Sequence, residues 1–154
     1  MSYHRAAIEG AVSGAAGTVA LTFFRATLAR WGIVGETAPE QVIERAEEAG
    51  LLGEMSPEAR NVLVALAHLG YGVSSGAAFG LLRRERGGAL DEASVGAALG
   101  ILSWAGGWAG WLWLLGVHSA PWQQKTPGVL LPVIDHAAYG AIWGLLYRDI
   151  SRQR

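Results

Sequence analysis

The most constraining feature of the sequence is a stretch of 25 residues, 93–117, that contains no ionisable side chain. At about 1.5 Å per residue, a helix of this length spans the ~30 Å hydrocarbon core of a bilayer. A helix on the surface of a soluble protein shows a polar face at a period of 3.6 residues, and this stretch has none. It therefore predicts a transmembrane helix.

Three further stretches are apolar enough to cross a membrane as helices. They are residues 6–24, 62–82 and 129–147, each of which carries only a few titratable side chains. Together with residues 93–117 they predict an all-α, integral membrane four-helix bundle. We expect residues 1–154 to form a single transmembrane domain.

The longest hydrophilic stretch lies between the first two predicted spans, at residues 25–60. It contains four Arg and seven Glu, a net charge of −3. Thr37 to Glu40 has the pattern of a helix-capping box, and Gly50 is a helix stop signal. We therefore expect an extramembrane loop that contains one short amphipathic helix at the membrane surface.

Composition excludes several classes of function. The absence of cysteine excludes disulfides, thiolate zinc sites and cysteine catalysis. A net charge of −1 gives no electrostatic footprint for nucleic acid. The sequence also lacks a Gly-Lys-Ser/Thr phosphate loop, a His-Glu-x-x-His zinc motif and a serine nucleophile elbow. These absences predict a non-enzymatic protein.

Many of the 22 glycines recur four residues apart within the predicted spans. Small residues at this spacing let helix backbones approach closely in lipid, where apolar burial no longer drives association. We therefore expect tight helix contacts at these glycines. The groups are Gly10 with Gly14; Gly72 with Gly76 and Gly80; Gly96 with Gly100; Gly106 with Gly110; and Gly140 with Gly144.

The second and fourth spans contain an internal repeat. Residues 68–72 (HLGYG) match residues 136–140 (HAAYG) at an offset of 68, and residues 76–84 match residues 140–148 at an offset of 64. The two offsets differ by about one helical turn. The repeat predicts two related helical hairpins, with the second and fourth helices near the bundle centre.

These motifs also carry a family resemblance. The Gly-rich first helix, the capped Pro-Glu loop and two His-x-x-Tyr-Gly helices that continue into Gly-Leu-Leu and Arg resemble bacterial inner-membrane proteins of the YagU type. The resemblance extends over residues 6–148. It implies a multi-pass inner-membrane protein of poorly defined function, with no established catalytic residues to transfer.

Ionisable groups at membrane depth form the candidate polar site, because such groups are costly in lipid and mark functional positions. We expect the two histidines of the repeat to lie at matching depth, each with a polar partner from another helix, and the glutamate to lie at the opposite end. The candidate residues are Glu9, His68, Tyr71, Asp135, His136 and Tyr139.

Three interpretations of this site stay open. The polar groups could fasten helices through hydrogen bonds, they could form a proton or ion path, or His68 and His136 could hold a metal or haem. We expect the first, and therefore no metal and no cofactor. The uncharged residues 93–117 disfavour a continuous ion path.

Trp104, Trp108 and Trp111 are spaced i, i+4 and i+7, which would align them as one stripe on a helix. Tryptophan favours the membrane interface, where its ring is buried and its N–H stays hydrated. We expect a surface that faces lipid or a partner. A stripe that contacts a quinone or pigment is the alternative.

Basic residues near the span ends predict the orientation. Seven lie on the side that carries both termini and five on the other, so we expect both termini in the cytoplasm of a bacterium. The sequence favours an accessory or structural subunit that associates through its Gly and Trp faces with itself or with a larger membrane complex. A small transporter, channel or proton relay is the first alternative, and a haem- or metal-binding subunit is the second.

Overall fold

In a computed structural model, residues 2–32, 37–84 and 88–153 are described, without the side chains of residues 126–128. Within these ranges every regular element is a helix, which confirms the predicted all-α class. The α-helices are α1 (Tyr3–Arg30), α2 (Ala38–Glu48), α3 (Pro57–Leu82), α4 (Ala89–Gly106) and α5 (Thr126–Arg152). A π-helical segment, Gly107–Leu112, continues α4, and a short 3-10 turn, Pro121–Gln123, precedes α5.

Four of the helices are long and apolar enough to cross a membrane: α1, α3, α5, and α4 together with its π-helical segment. The chain therefore has the architecture of a multi-pass membrane protein. The helices differ from the predicted spans at their ends. Helix α1 runs on to Arg30, because the charged side chains near its end do not interrupt backbone hydrogen bonding. The third spanning segment ends at Leu112, before Gly116, which adopts a left-handed conformation (φ 71°).

Helix α2 is the short helix expected in the first loop. The Glu40 carboxylate accepts a hydrogen bond from the backbone N–H of Thr37 at 2.5 Å, which is one of the two bonds of a capping box. Gly50, at φ 68°, turns the chain just after the helix. Ile43 is buried, and α2 packs against α3. Its apolar face therefore lies on the bundle.

The bundle consists of two close helix pairs, α1 with α3 and α4 with α5. A Cβ atom on Gly76 would overlap the Gly10 carbonyl oxygen and the Gly14 backbone. In the other pair, a Cβ on Gly140 would overlap the Gly96 carbonyl oxygen. The backbones touch at these crossings because there is no side chain between them.

Four of the five glycine groups lie at these two crossings. The fifth, Gly106 with Gly110, does not: a Cβ on Gly106 would meet no atom, and one on Gly110 would meet only Ala105 of the preceding turn. This group flanks the start of the π-helical segment, where the helical spacing changes. Four-residue spacing therefore indicates a crossing only where the helix is regular.

The two crossings repeat the same geometry. Gly76 meets Gly10 as Gly140 meets Gly96, so α3 and α5 correspond at the offset of 64 found in the sequence repeat. In this register Gly72 corresponds to His136. His68 lies four residues, or about one helical turn, before Gly72 in α3. The expected matching depth of the two histidines is therefore wrong by one turn.

The contact between the two pairs is made chiefly by α1 and α5. Gly17 of α1 admits the Tyr139 ring, whose edge would lie 3.2 Å from a Cβ at that position. Helix α3 meets α5 through Phe79, whose ring lies 5.7 Å from Trp143 and 5.5 Å from Tyr147. The expectation that the second and fourth helices form the bundle centre is wrong, because the glycine face of α3 already packs against α1.

Candidate functional site: a cavity between the helix pairs

A cavity of about 230 Å³ lies between the two helix pairs, in the half of the bundle where α1 ends and α5 begins. Its wall is mostly apolar and aromatic, and Pro39 and Val42 of α2 contribute to it. The polar residues that line it come from α1, α3, α4 and α5. They are Arg25, His68, Tyr71, Ser103, His136 and Tyr139, and Thr37, just before α2, also lines the cavity.

The π-helical segment supplies one wall of this cavity. Trp108, Trp111 and Leu112 line it, and the Trp108 ring stacks on His118 with centroids 4.0 Å apart. Trp108 and Trp111 lie in this segment and Trp104 lies before it in α4, so the regular helical spacing expected for the three tryptophans does not hold along the stripe. Two of these three tryptophans thus line the cavity, although Trp111 is also half exposed at the surface. Single-turn π-helical segments within α-helices are frequent at functional sites.

The tautomer of the neutral His136 ring follows from its hydrogen bond. Its Nδ1 lies 2.7 Å from the carbonyl oxygen of Pro132, one turn earlier in α5. Because a carbonyl oxygen only accepts, the proton is assigned to Nδ1. The Nε2 atom of the neutral ring then carries a lone pair. The partner belongs to the same helix, so the expectation of a partner from another helix is wrong for His136.

The same reasoning applies to His68. The Thr22 hydroxyl donates its one proton to the Thr18 carbonyl oxygen at 2.8 Å, so it accepts from Nδ1 of His68 at 3.3 Å. Here the partner does come from another helix. Neither Nε2 atom has a hydrogen-bond partner within the described ranges. The two imidazoles therefore bring two unsatisfied acceptors to one cavity.

Asp135 forms an ion pair with Arg25 across α5 and α1. The Asp135 Oδ2 atom lies 2.5 Å from Arg25 Nη1, and only 8% and 18% of the two side chains are exposed. The sequence had assigned Arg25 to the extramembrane loop, but α1 continues past it. The pair cancels the formal charge of the cavity wall, so Asp135 is not free to act beside the histidines.

The two tyrosines join helices through hydrogen bonds to residues other than the histidines. The Tyr139 hydroxyl donates a hydrogen bond to Thr18 Oγ1 at 2.9 Å. The Thr18 hydroxyl in turn donates its proton to the Gly14 carbonyl oxygen. Tyr71 is hydrogen-bonded to Ser103 of α4. These bonds link α5 to α1 and α3 to α4, on two sides of the cavity.

Glu9 lies at the opposite end of the bundle, as expected. It pairs with Arg5 at 2.6 Å and accepts a hydrogen bond from Ser151 at 2.7 Å. A second buried carboxylate at this end, Glu92, has no exposed surface and lies 3.0 Å from Arg83. This hydrogen bond raises the pKa of the Arg83 guanidinium. Sequence reasoning missed Glu92, because it immediately precedes the uncharged stretch.

A groove of about 610 Å³ adjoins the cavity. It opens between α1 and α3, beyond the glycines at which these two helices touch. Its apolar lining includes Val19, Phe23, Val64 and Leu69. Arg25, Thr37 and His68 line both the groove and the cavity. The two spaces are therefore neighbours.

Comparisons with known proteins return no match: no family model, no curated protein and no solved structure is similar to this chain. The resemblance to the YagU type stays a prediction. Within the described residues there is no group of three or more His, Asp or Glu side chains arranged to hold a metal ion.

Proposed function

We propose that this chain is a non-enzymatic membrane protein that holds a small lipophilic molecule between its two helix pairs. The observation that carries the proposal is the cavity itself, where two imidazole acceptors meet aromatic walls inside a membrane bundle. Ligand sites are concave and mostly apolar, with a few polar groups that fix orientation. The protein acts as an accessory component beside the machinery that uses the molecule.

A proton relay has less support. Glu9 and Asp135 are each paired with a cation, at opposite ends of the bundle. Between those ends lie the packed rings of Phe79, Trp143 and Tyr147. A relay needs a chain of titratable groups or water that connects the two sides, and tight aromatic packing interrupts such a chain.

A haem site also has less support. The cavity volume of about 230 Å³ is below the roughly 300–1,000 Å³ of common ligand pockets. Such a space suits one ring rather than a porphyrin. The molecule held there is therefore small, or it extends into the adjoining groove.

The expected association with a partner through the glycine faces is wrong, so an accessory role has to use other surfaces. Both glycine faces pack within the chain, so the helix pairs need no partner in order to form. Apolar side chains such as Leu66 of α3 and Leu102 of α4 stay exposed. The bilayer covers these outer faces, and a second copy or another membrane subunit would meet the chain there.

Filling the cavity should expel the molecule. Ala67 lines the cavity, and Ala78 is an exposed residue of the same helix that lines neither space. We expect a lipophilic molecule to be extracted with solvent from the purified wild type and from Ala78→Phe, and to be depleted at least tenfold from Ala67→Phe. Mass spectrometry of the extracts measures this. Equal amounts from the two variants, or an empty wild type, would contradict the proposal.

The proposed location is the inner membrane of a bacterium, with both termini in the cytoplasm. The bias of basic residues towards the terminal side supports this orientation. Ser2 and Lys125 are both exposed, at opposite ends of the bundle, in a chain without cysteine. In intact cells, a membrane-impermeant maleimide should label Lys125→Cys, and label Ser2→Cys only after permeabilisation. Labelling of both from one side would disprove a four-span topology.

A further inference from the structure

We propose that the molecule held in the cavity is a lipid-soluble hydroquinone, with a neutral ring that carries hydroxyl groups and an apolar tail. This inference rests on the binding function proposed above and identifies its ligand class. It follows from three properties of the site: its hydrogen-bonding capacity, its charge, and its continuity with the groove between α1 and α3.

The two imidazoles of the cavity require a ligand that donates hydrogen bonds. His136 and His68 each commit the Nδ1 proton to a protein acceptor, so each offers an Nε2 lone pair. A ligand that matches them must donate hydrogen bonds. The hydroxyl groups of a hydroquinone do so, whereas the carbonyl groups of the oxidised quinone only accept. The two imidazoles therefore favour the reduced form, whereas the N–H of Trp108, which has no hydrogen-bond partner among the described residues, does not distinguish the two forms.

The charge of the site favours a neutral ligand. Arg25 is the cation that lines the cavity, and Asp135 already neutralises it at 2.5 Å. A carboxylate or phosphate would have to compete with Asp135 for this guanidinium. A phenolic hydroxyl requires no counter-charge, so it can be buried here once it is hydrogen-bonded.

The shape of the site accommodates a ring and a tail. Trp108 and Trp111 line the cavity, so a ligand ring there would pack beside aromatic side chains. The groove of about 610 Å³ shares His68 with the cavity, and its lining includes the exposed apolar residues Val19, Phe23 and Leu69 of α1 and α3 besides the polar Glu40 and Asn61. An apolar tail would follow this groove into the bilayer.

The test compares three probes of nearly equal size on the purified full-length protein, by isothermal titration calorimetry under anaerobic conditions. The probes are decylhydroquinone, the matching decylquinone, and the dimethyl ether of the hydroquinone, which has no donor. We expect the hydroquinone to bind about tenfold more tightly than the other two, which is the effect of a hydrogen bond in a site built to make it.

Two histidine variants test whether the imidazoles accept hydrogen bonds from the ligand. His136→Leu and, separately, His68→Leu should lower hydroquinone affinity by about five- to tenfold and leave the affinity for the ether unchanged. His4→Leu, at an exposed position in the first turn of α1, is the matched control and should bind as wild type. The probe comparison on the wild type needs no substitution, so it remains decisive if a variant fails to fold.

The outcomes separate the ligand class from the proposed function. Equal binding of the three probes, with no effect of either histidine variant, overturns the hydroquinone and leaves a cavity for lipophilic molecules. A metal or haem that co-purifies with the wild type and is lost in His136→Leu also overturns the hydroquinone. If no probe binds, and Ala67→Phe and Ala78→Phe yield equal solvent extracts, the proposed function fails as well.

Discussion

Replacing Asp135 with leucine should lower the free energy of unfolding by about 3–5 kcal/mol, the largest effect we expect from any single substitution in this chain. Asp135 neutralises Arg25 at 2.5 Å, and both side chains are largely buried. Removal of the carboxylate leaves an uncompensated guanidinium between α1 and α5. Denaturant titration of the purified protein in detergent micelles, followed by circular dichroism, measures the loss.

Two control variants test whether the uncompensated charge causes this loss of stability. Glu48 pairs with Arg45 on α2, where both side chains are about half exposed, so Glu48→Leu should cost no more than about 1 kcal/mol. The double variant Arg25→Met/Asp135→Leu removes both charges and should recover most of the lost stability. If the double variant is as unstable as Asp135→Leu alone, the uncompensated charge is not the cause.

The second large loss of stability should come from a single methyl group added at Gly76. A Cβ on Gly76 would overlap the Gly10 carbonyl oxygen and the Gly14 backbone, so Gly76→Ala forces α1 and α3 apart. We expect a loss of about 2–3 kcal/mol, as is typical when atoms are inserted into closely packed structure. The same titration in micelles measures it.

Gly70 is the matched control, because it lies in the same helix and an added Cβ there would meet no atom within 4 Å. Gly70→Ala should leave stability unchanged or raise it by up to about 1 kcal/mol, through better helix propensity. Gly140→Ala should repeat the loss in the other pair, since Gly140 meets Gly96 as Gly76 meets Gly10. Equal stability of Gly76→Ala and Gly70→Ala would show that the crossing is not close-packed.

Four residues of the candidate site could be predicted from the sequence, but Arg25, Ser103 and the pairings could not. His68, His136, Tyr71 and Tyr139 all line the cavity, because polar groups in apolar helices turn towards protein or water. The partner of Asp135 is 110 positions earlier in the chain, at Arg25. No local pattern encodes such a contact, and it depends on α1 packing beside α5.

The sequence alone determined the four apolar helices, the capped surface helix and the presence of two related hairpins. Each of these follows from local properties: hydropathy over about 20 residues, i to i+4 hydrogen bonding, and capping side chains. Only the tertiary structure decided which helices occupy the centre, which glycines lie at crossings, and where the cavity opens. These depend on side-chain volumes matched between helices far apart in the chain, such as Gly17 against Tyr139. The π-helical segment that contains Trp108 could not be predicted from the sequence either, because a π-helical turn changes the residue spacing on which such a prediction relies.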